Sequence, residues 1–244
     1  MRMKGVELIR MNDNRRIHTF DDWNLILKSR PEISPPEPKT EYVDLPGADG
    51  HLDLTEALTG EVVFNPRNIS MVFRVVQGNE EWPSVYSDIL DFLHGRKVKI
   101  VMDDNPDYYY VGRVTVEGWD SSSNHSEIKL KAIVEPYKME RSSSMEDWEW
   151  DTFNFETGVI REYKELPVNG SLQLTITGSR KPVIPSFTVT SNDGSGMTMR
   201  YAGEEYHLSD GLNHVVNIRI KEGTYDFIFE GTGMVSVDYR GGRL

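Results

Sequence analysis

From Leu172 to Tyr239 short runs of alternating apolar and polar residues follow one another, each closed by a turn dipeptide, and few folds accept that rhythm. Leu172–Thr177, Phe187–Thr190, Met197–Tyr201, His214–Ile220, Tyr225–Phe229 and Val235–Tyr239 read as strands. Asn169-Gly170, Asp193-Gly194, Asp210-Gly211 and Glu222-Gly223 punctuate them as turns, at intervals of roughly 8 to 16 residues. This half shows no helical period, so an all-β sandwich is expected.

The first half is also β-rich. Val6–Arg10 and Arg16–Thr19 flank the polar cluster Met11 to Asn14 and read as a hairpin, which Leu25–Lys28 continues. Pro31, Pro35, Pro36 and Pro38 then remove backbone donors and favour an extended, polyproline-like arm. Such an arm either drapes over its own domain or lies on a neighbouring subunit. Tyr42–Leu45 is a short strand stopped by Pro46-Gly47. In Leu52–Gly60 the apolar Leu54, Ala57 and Leu58 have helical spacing, which predicts one short helix or a helical turn. Val62–Phe64 and Ile69–Val76 alternate as half-buried strands do. The clearest helix starts near Trp82, takes Pro83 in its first turn and stops at Gly95. Its apolar face is Val85, Ile89, Phe92 and Leu93. Lys97–Met102 and Tyr108–Val116 follow as strands around the turn Asp103 to Asp107, and Glu127–Val134 adds another.

With 244 residues, 38% of them hydrophobic, the chain has enough material for two cores. The small polar run Arg141 to Ser144 separates two patterned regions, so the expected division is a domain at 1–139, a linker at 140–147 and a domain at 148–244. The fold class expected is mainly β, with an N-terminal barrel-like or sandwich-like domain carrying one main helix. Cysteine is absent, which excludes disulfides, thiolate zinc sites and thiol catalysis. Lys and Arg number 27 against 39 Asp and Glu, a net charge of −12 that disfavours stable nucleic-acid binding. The opening MRMKGVELIRM carries charges throughout and reads as no secretory signal, and no apolar run approaches the ~18 residues of a membrane helix. A cytoplasmic origin is expected, which makes the sequons at Asn68, Asn124 and Asn169 chance matches.

Acid pairs for sugar hydrolysis have two candidate sets, Asp103, Asp104 and Asp107 and the neighbours Glu204 and Glu205. The first set surrounds Pro106, where aspartates stabilise turns, and the second follows Gly203. The first set also lacks the glycine and distant glutamate of a helix-flanked calcium loop. The histidines at 18, 51, 94, 125, 207 and 214 have no metal-ligand spacing. Trp148, Trp150, Phe153 and Phe155 alternate, as one packed face of a strand does, more simply than they form a sugar platform. The residues give no catalytic, metal or cofactor constellation.

The segment Trp23–Gly60, WNLILKSRPEISPPEPKTEYVDLPGADGHLDLTEALTG, resembles a signature of the distal tail proteins of long-tailed, siphovirus-type bacteriophages and prophages. The likeness continues through VVFNPR (Val62–Arg67), through His94–Val116 with YYYVGR at Tyr108–Arg113, through Pro136-Tyr137-Lys138, and in the closing VSVDYRGGRL. The resemblance implies an N-terminal β domain with a helix and a C-terminal galectin-like β-sandwich. It also implies a non-enzymatic, cofactor-free protein of the virion tail, assembled in the bacterial cytoplasm, of which six copies form a ring. That ring joins the tail tube protein to tail-tip and adsorption proteins and leaves a channel through which DNA passes without specific binding. The alternatives are another tail component, such as a tube protein, and a carbohydrate-binding tail protein. Ring closure requires a heterologous interface. The segments long relative to their regular structure are the proline arm and the loop Leu45–Gly60, so the candidate interface residues are Pro35, Pro36, Pro38, Leu52, Leu54 and Leu58.

Overall fold

The opening residues form the expected hairpin: β1 (Val6–Arg10) pairs antiparallel with β2 (Arg16–His18), Leu8 opposite Ile17. The computed structural model describes residues 5–76, 81–122, 125–141, 143–145 and 162–244. These fall into two compact units, Met1–Lys138 with Leu244, and Met139–Arg243. In the first unit β3 (Leu25–Leu27), β4 (Glu32–Ile33), β5 (Tyr42–Asp44), β6 (His51–Asp53) and β7 (Arg67–Val75) precede the helix α1 (Trp82–Leu93). After it come β8 (Lys97–Met102), β9 (Asn105–Ser121) and β10 (Ser126–Val134). The sheet runs β2-β1-β8-β9-β10-β7-β3, with β4 also paired to β7.

Alternation explains which face is core. Along β7, Ile69, Met71, Phe73 and Val75 are buried at every second position, and the intervening Asn68 and Arg74 are exposed. The same inner face collects Val6 and Leu8 from β1, Val98 and Ile100 from β8, Val114 and Val116 from β9, and Ile128 and Leu130 from β10. Helix α1 adds Trp82, Val85, Ile89, Phe92 and Leu93. Ile89 and Leu93 are wholly buried, each contributing on the order of 2 kcal/mol of apolar burial. Trp23 meets Phe92 edge to face at 5.6 Å between ring centroids.

Leu52–Gly60 forms no helix. Leu52 and Asp53 belong to β6, and the rest gives the helical turn that is the other expectation, with Ala57 N–H donating to the Leu54 carbonyl and Gly60 N–H to that of Glu56. An apolar stripe so short cannot offset helix nucleation without a surface to pack on. Leu58 is 99% exposed.

The second unit contains β11 (Lys138–Glu140), β12 (Leu166–Gly178), β13 (Ser186–Ser191), β14 (Met197–Tyr201), β15 (Glu204–Leu208), β16 (Gly211–His214), β17 (Gly223–Asp238) and β18 (Gly242–Arg243). β11 pairs with β18. β17 is the organising strand. One edge pairs with β12 from Gly223 to Val235, while the other pairs with β14 at Ile228–Glu230 and with β13 from Gly233 to Asp238. The sequence predicts two strands here, Tyr225–Phe229 and Val235–Tyr239, with a turn at Asn169-Gly170. Instead β17 is continuous, and Asn169 and Gly170 lie within β12 opposite Thr232 and Gly231. The ladder changes partner at Gly231 and Gly233, whose φ of 142° and 147° other residues rarely adopt.

Two further differences concern strand ends. His214–Ile220 gives only the end of β16, after which Ile218 N–H turns back to the Val215 carbonyl and Ile220 bridges to Val183. The unexpected strand β15 forms a hairpin with β14 through Ala202 and Gly203, both at positive φ, the geometry that matches strand twist. Ser144, assigned by composition to the linker, is buried, with its Oγ donating to the Val237 carbonyl and accepting from Tyr239 N–H. The aromatic run Trp148 to Phe155 lies outside the described residues.

A Cβ at residue 233 would stand 2.1 Å from the Thr190 carbonyl oxygen and 2.8 Å from Ser191 Cα. Gly233→Ala is therefore expected to cost roughly 2–4 kcal/mol, read as a lowered urea midpoint. Gly118→Ala, which meets nothing within 4 Å, is the control and should change stability by less than about 1 kcal/mol.

Candidate assembly interface

The two segments singled out in the sequence are the two sides of one elongated hairpin. At its root Ser34 N–H donates to the Asn68 carbonyl at 3.0 Å, and Asn68 N–H donates to Ser34 Oγ at 3.0 Å. Next, Asn65 N–H reaches the Glu37 carbonyl, Pro38 bridges to Phe64, and Lys39 N–H reaches the Val63 carbonyl. Leu54 N–H then donates to the Glu41 carbonyl, and β5 and β6 close the tip with Tyr42 opposite Asp53 and Asp44 opposite His51. Pro35 and Pro36 thus lie between two anchored points, and Pro38 is stitched to Phe64. Proline fits here because an edge can leave its donors unused. The proline segment rests on its own unit at the root, while the β5–β6 tip forms a separate two-stranded sheet.

Every residue of β5 and β6 is exposed. Tyr42 is 56% exposed, and Val43, Leu45, Leu52 and Leu54 are exposed as well. Leu52 lies on β6, with Leu54 and Leu58 in the turns beyond it. Tyr42, Val43 and Leu45 extend the apolar surface that the sequence places only at Leu52, Leu54 and Leu58. Their missed signal is the strand itself, read as an isolated segment and not as the partner of a second one. Residues 41–61 also carry Glu41, Asp44, Asp49, Asp53, Glu56 and Glu61, with no Lys or Arg. The Thr55 hydroxyl and backbone N–H hold the Asp53 carboxyl below its usual range, so it stays ionised at neutral pH.

The carboxylates considered for chemistry have other partners. Asp103 accepts from Gly5 N–H at 2.8 Å and stands 3.0 Å from His18 Nε2. Asp104 pairs with Arg30 at 3.1 Å. Burial raises the carboxyl pKa of Asp107. Glu204 accepts from the Tyr206 hydroxyl at 2.7 Å, and Glu205 pairs with Arg200 at 3.3 Å. Among the described residues there is no cluster of three or more His, Asp or Glu that could hold a metal, and no helix is long and apolar enough to cross a membrane.

The chain matches no family model, and no curated protein sequence matches it. Among solved structures it is similar to Dit (gp 19.1) of phage SPP1, described as a paradigm of the hub adsorption apparatus in phages that infect Gram-positive bacteria. The likeness covers 99% of this chain and 100% of that one, with a TM-score of 0.63 and 12% sequence identity. At that identity it establishes a shared fold over essentially the whole length.

No residue of β5 or β6 belongs to the core of the first unit. Replacing Tyr42–Asp53 with a short Gly-Ser turn between Glu41 and Leu54 should accordingly move the thermal midpoint by less than about 2 °C. A larger fall would make the tip part of the fold instead of an appendage.

Proposed function

We propose that this chain is a structural component of a bacteriophage tail hub. Copies of it close into a ring of six at the distal end of the tail tube, joining the tube to tail-tip and adsorption proteins around a channel for DNA. The observation that carries this reading is the whole-length likeness in fold to a phage hub protein. The ring size and the partners come from the resemblance of Trp23–Gly60 and its companion stretches to distal tail proteins. The reading has no enzymatic step and needs no cofactor. It places the protein in the virion tail after assembly in the bacterial cytoplasm.

The hairpin supports the assembly part. Two strands alone are marginally stable in water, and a tip that exposes Tyr42, Val43, Leu45, Leu52 and Leu54 gains most by docking on another surface. A second copy offers a complementary one. On the outer face of the same sheet Lys97 lies opposite Arg113, and Arg113 opposite Ile133, which is 58% exposed. Lys129 and Lys131 continue the strip along β10, and Glu135 and Glu117 pair with Lys97 and Lys131, so it presents both signs of charge. Pro35, Pro36 and Pro38 form the shoulder from which the tip projects. A net charge of −12 suits a channel past which DNA moves without adhering.

Light scattering across concentration, with negative-stain imaging of the assembled fraction, tests the ring. A closed particle near six times 28.0 kDa is expected, and long stacked polymers would point to a tube protein instead. The double variant Leu52→Lys, Leu54→Lys should keep its thermal midpoint within about 2 °C yet weaken assembly at least roughly tenfold. Unchanged assembly would remove the tip from the interface.

A further inference from the structure

β7 opens on Arg67, whose side chain lies on the inner face of the sheet and is only 6% exposed. Its Cζ stands 4.9 Å over the centre of the Tyr110 ring, which closes one face of the guanidinium. Its Nε and Nη2 are buried, and among the described residues neither has a hydrogen-bond partner. Burial lowers the pKa of Arg67 and raises that of the Tyr110 phenol, but a guanidinium starts so far above neutrality that it remains charged. Asp104, whose charge also bears on the Tyr110 phenol, is paired with Arg30.

Nε and Nη2 form one edge of the guanidinium. Their N–H bonds run side by side, and a planar group with two oxygens accepts both at once. A buried charge without a counter-charge is among the most costly groups a fold can hold, and an uncharged acceptor leaves the charge uncompensated. The site also lies beside the hairpin root, since Asn65 and Asn68 on either side of Arg67 bond to Glu37 and Ser34.

We propose that Arg67, backed by Tyr110, is a recognition site for a carboxylate, gripped through Nε and Nη2. The carboxylate has two possible sources: a small free anion, or an acidic side chain delivered by a second copy of this chain. The second source rests on the ring reading, and the first does not.

The test compares the full chain with Arg67→Met, which keeps the side chain's length and packing, and with Arg67→Lys, which keeps the charge but loses the fork. Thermal midpoints are measured at low protein concentration in sodium formate and in sodium chloride of equal ionic strength, with mass by light scattering. Arg67→Met should fold with a midpoint in chloride no lower than that of the original chain, because it removes a buried unpaired charge. If the source is a free anion, formate at tenfold over its Kd raises the midpoint of the original chain by roughly 3 °C and leaves both variants unmoved. If the source is a second copy, formate has no specific effect, while both variants stay folded and assemble at least about tenfold more weakly. A formate shift in a chain that remains monomeric supports the site and counts against the ring. The proposal is overturned if formate moves all three proteins alike, or if the original chain ignores formate and the variants match it in mass at every concentration.

Discussion

Backbone pairing along β7 is the constraint on which the first unit depends. One edge of β7 is taken by β10 over Arg67 to Arg74, and the other is shared by β3 and β4, with Leu27 opposite Phe73 and Ile33 opposite Ile69. Sharing that edge brings the chain from Leu25 to Ser34 back along a single strand. Pro31 breaks the run between β3 and β4, so the two short strands share the edge in place of one long one. The same arrangement fixes where the chain departs, since beyond Ser34 and Asn68 no further strand among the described residues lies alongside and the two sides run on as a hairpin. The exposed tip and the buried Arg67 both follow from this crossing, one just outside the sheet and the other at its first residue.

The second unit solves a related problem with glycine. A long strand that serves β14 first and β13 later must turn while keeping β12 on its other edge throughout. A break in the ladder would leave buried donors and acceptors unpaired. Gly231 and Gly233 supply the bend without that loss, and Gly170 across the ladder relaxes β12 at the same point, with its own φ at 86°. Phe187, Phe227 and Phe229 can then pack their rings 5.8 to 6.5 Å apart in one core.

What the sequence made legible is what depends on period and punctuation. Helix α1 starts at Trp82 and ends at Leu93 because Pro83 and Gly95 bracket a full apolar stripe, and β1, β8 and β10 follow from alternation alone. The readings that failed depended on partners distant in the chain. Asn169-Gly170 reads as a turn until its partner strand is known, β17 reads as two strands because alternation lapses between Phe229 and Val235, and β15 escapes because Ala202-Gly203 is not a usual turn signal. The candidate interface was legible as two unexplained segments. That they form one hairpin depends on pairings such as Pro38 with Phe64, which no local pattern announces. Arg67 carries no signal in the sequence beyond closing the run VVFNPR. Its burial without a hydrogen-bonded acceptor at Nε or Nη2 depends on Tyr110, more than forty residues away.

Charge also constrains how copies can meet. The tip carries six carboxylates against one histidine, His51, and no Lys or Arg, so a two-fold contact between hairpins would bring mostly like charges together across its exposed apolar side chains. An isologous hairpin-to-hairpin dimer is therefore disfavoured, whatever apolar area it covers. In the proposed assembly the tip therefore meets a different surface, a heterologous contact, and heterologous contacts either close into rings or propagate as filaments. The choice between these depends on whether the rotation at each contact closes without rise. Here the root is held by paired hydrogen bonds from Ser34, Glu37 and Lys39 to the start of β7 and the residues before it. In the assembly proposed above, a tip held in that way fixes the angle between successive copies, and the ring closes where that angle divides a full turn without rise.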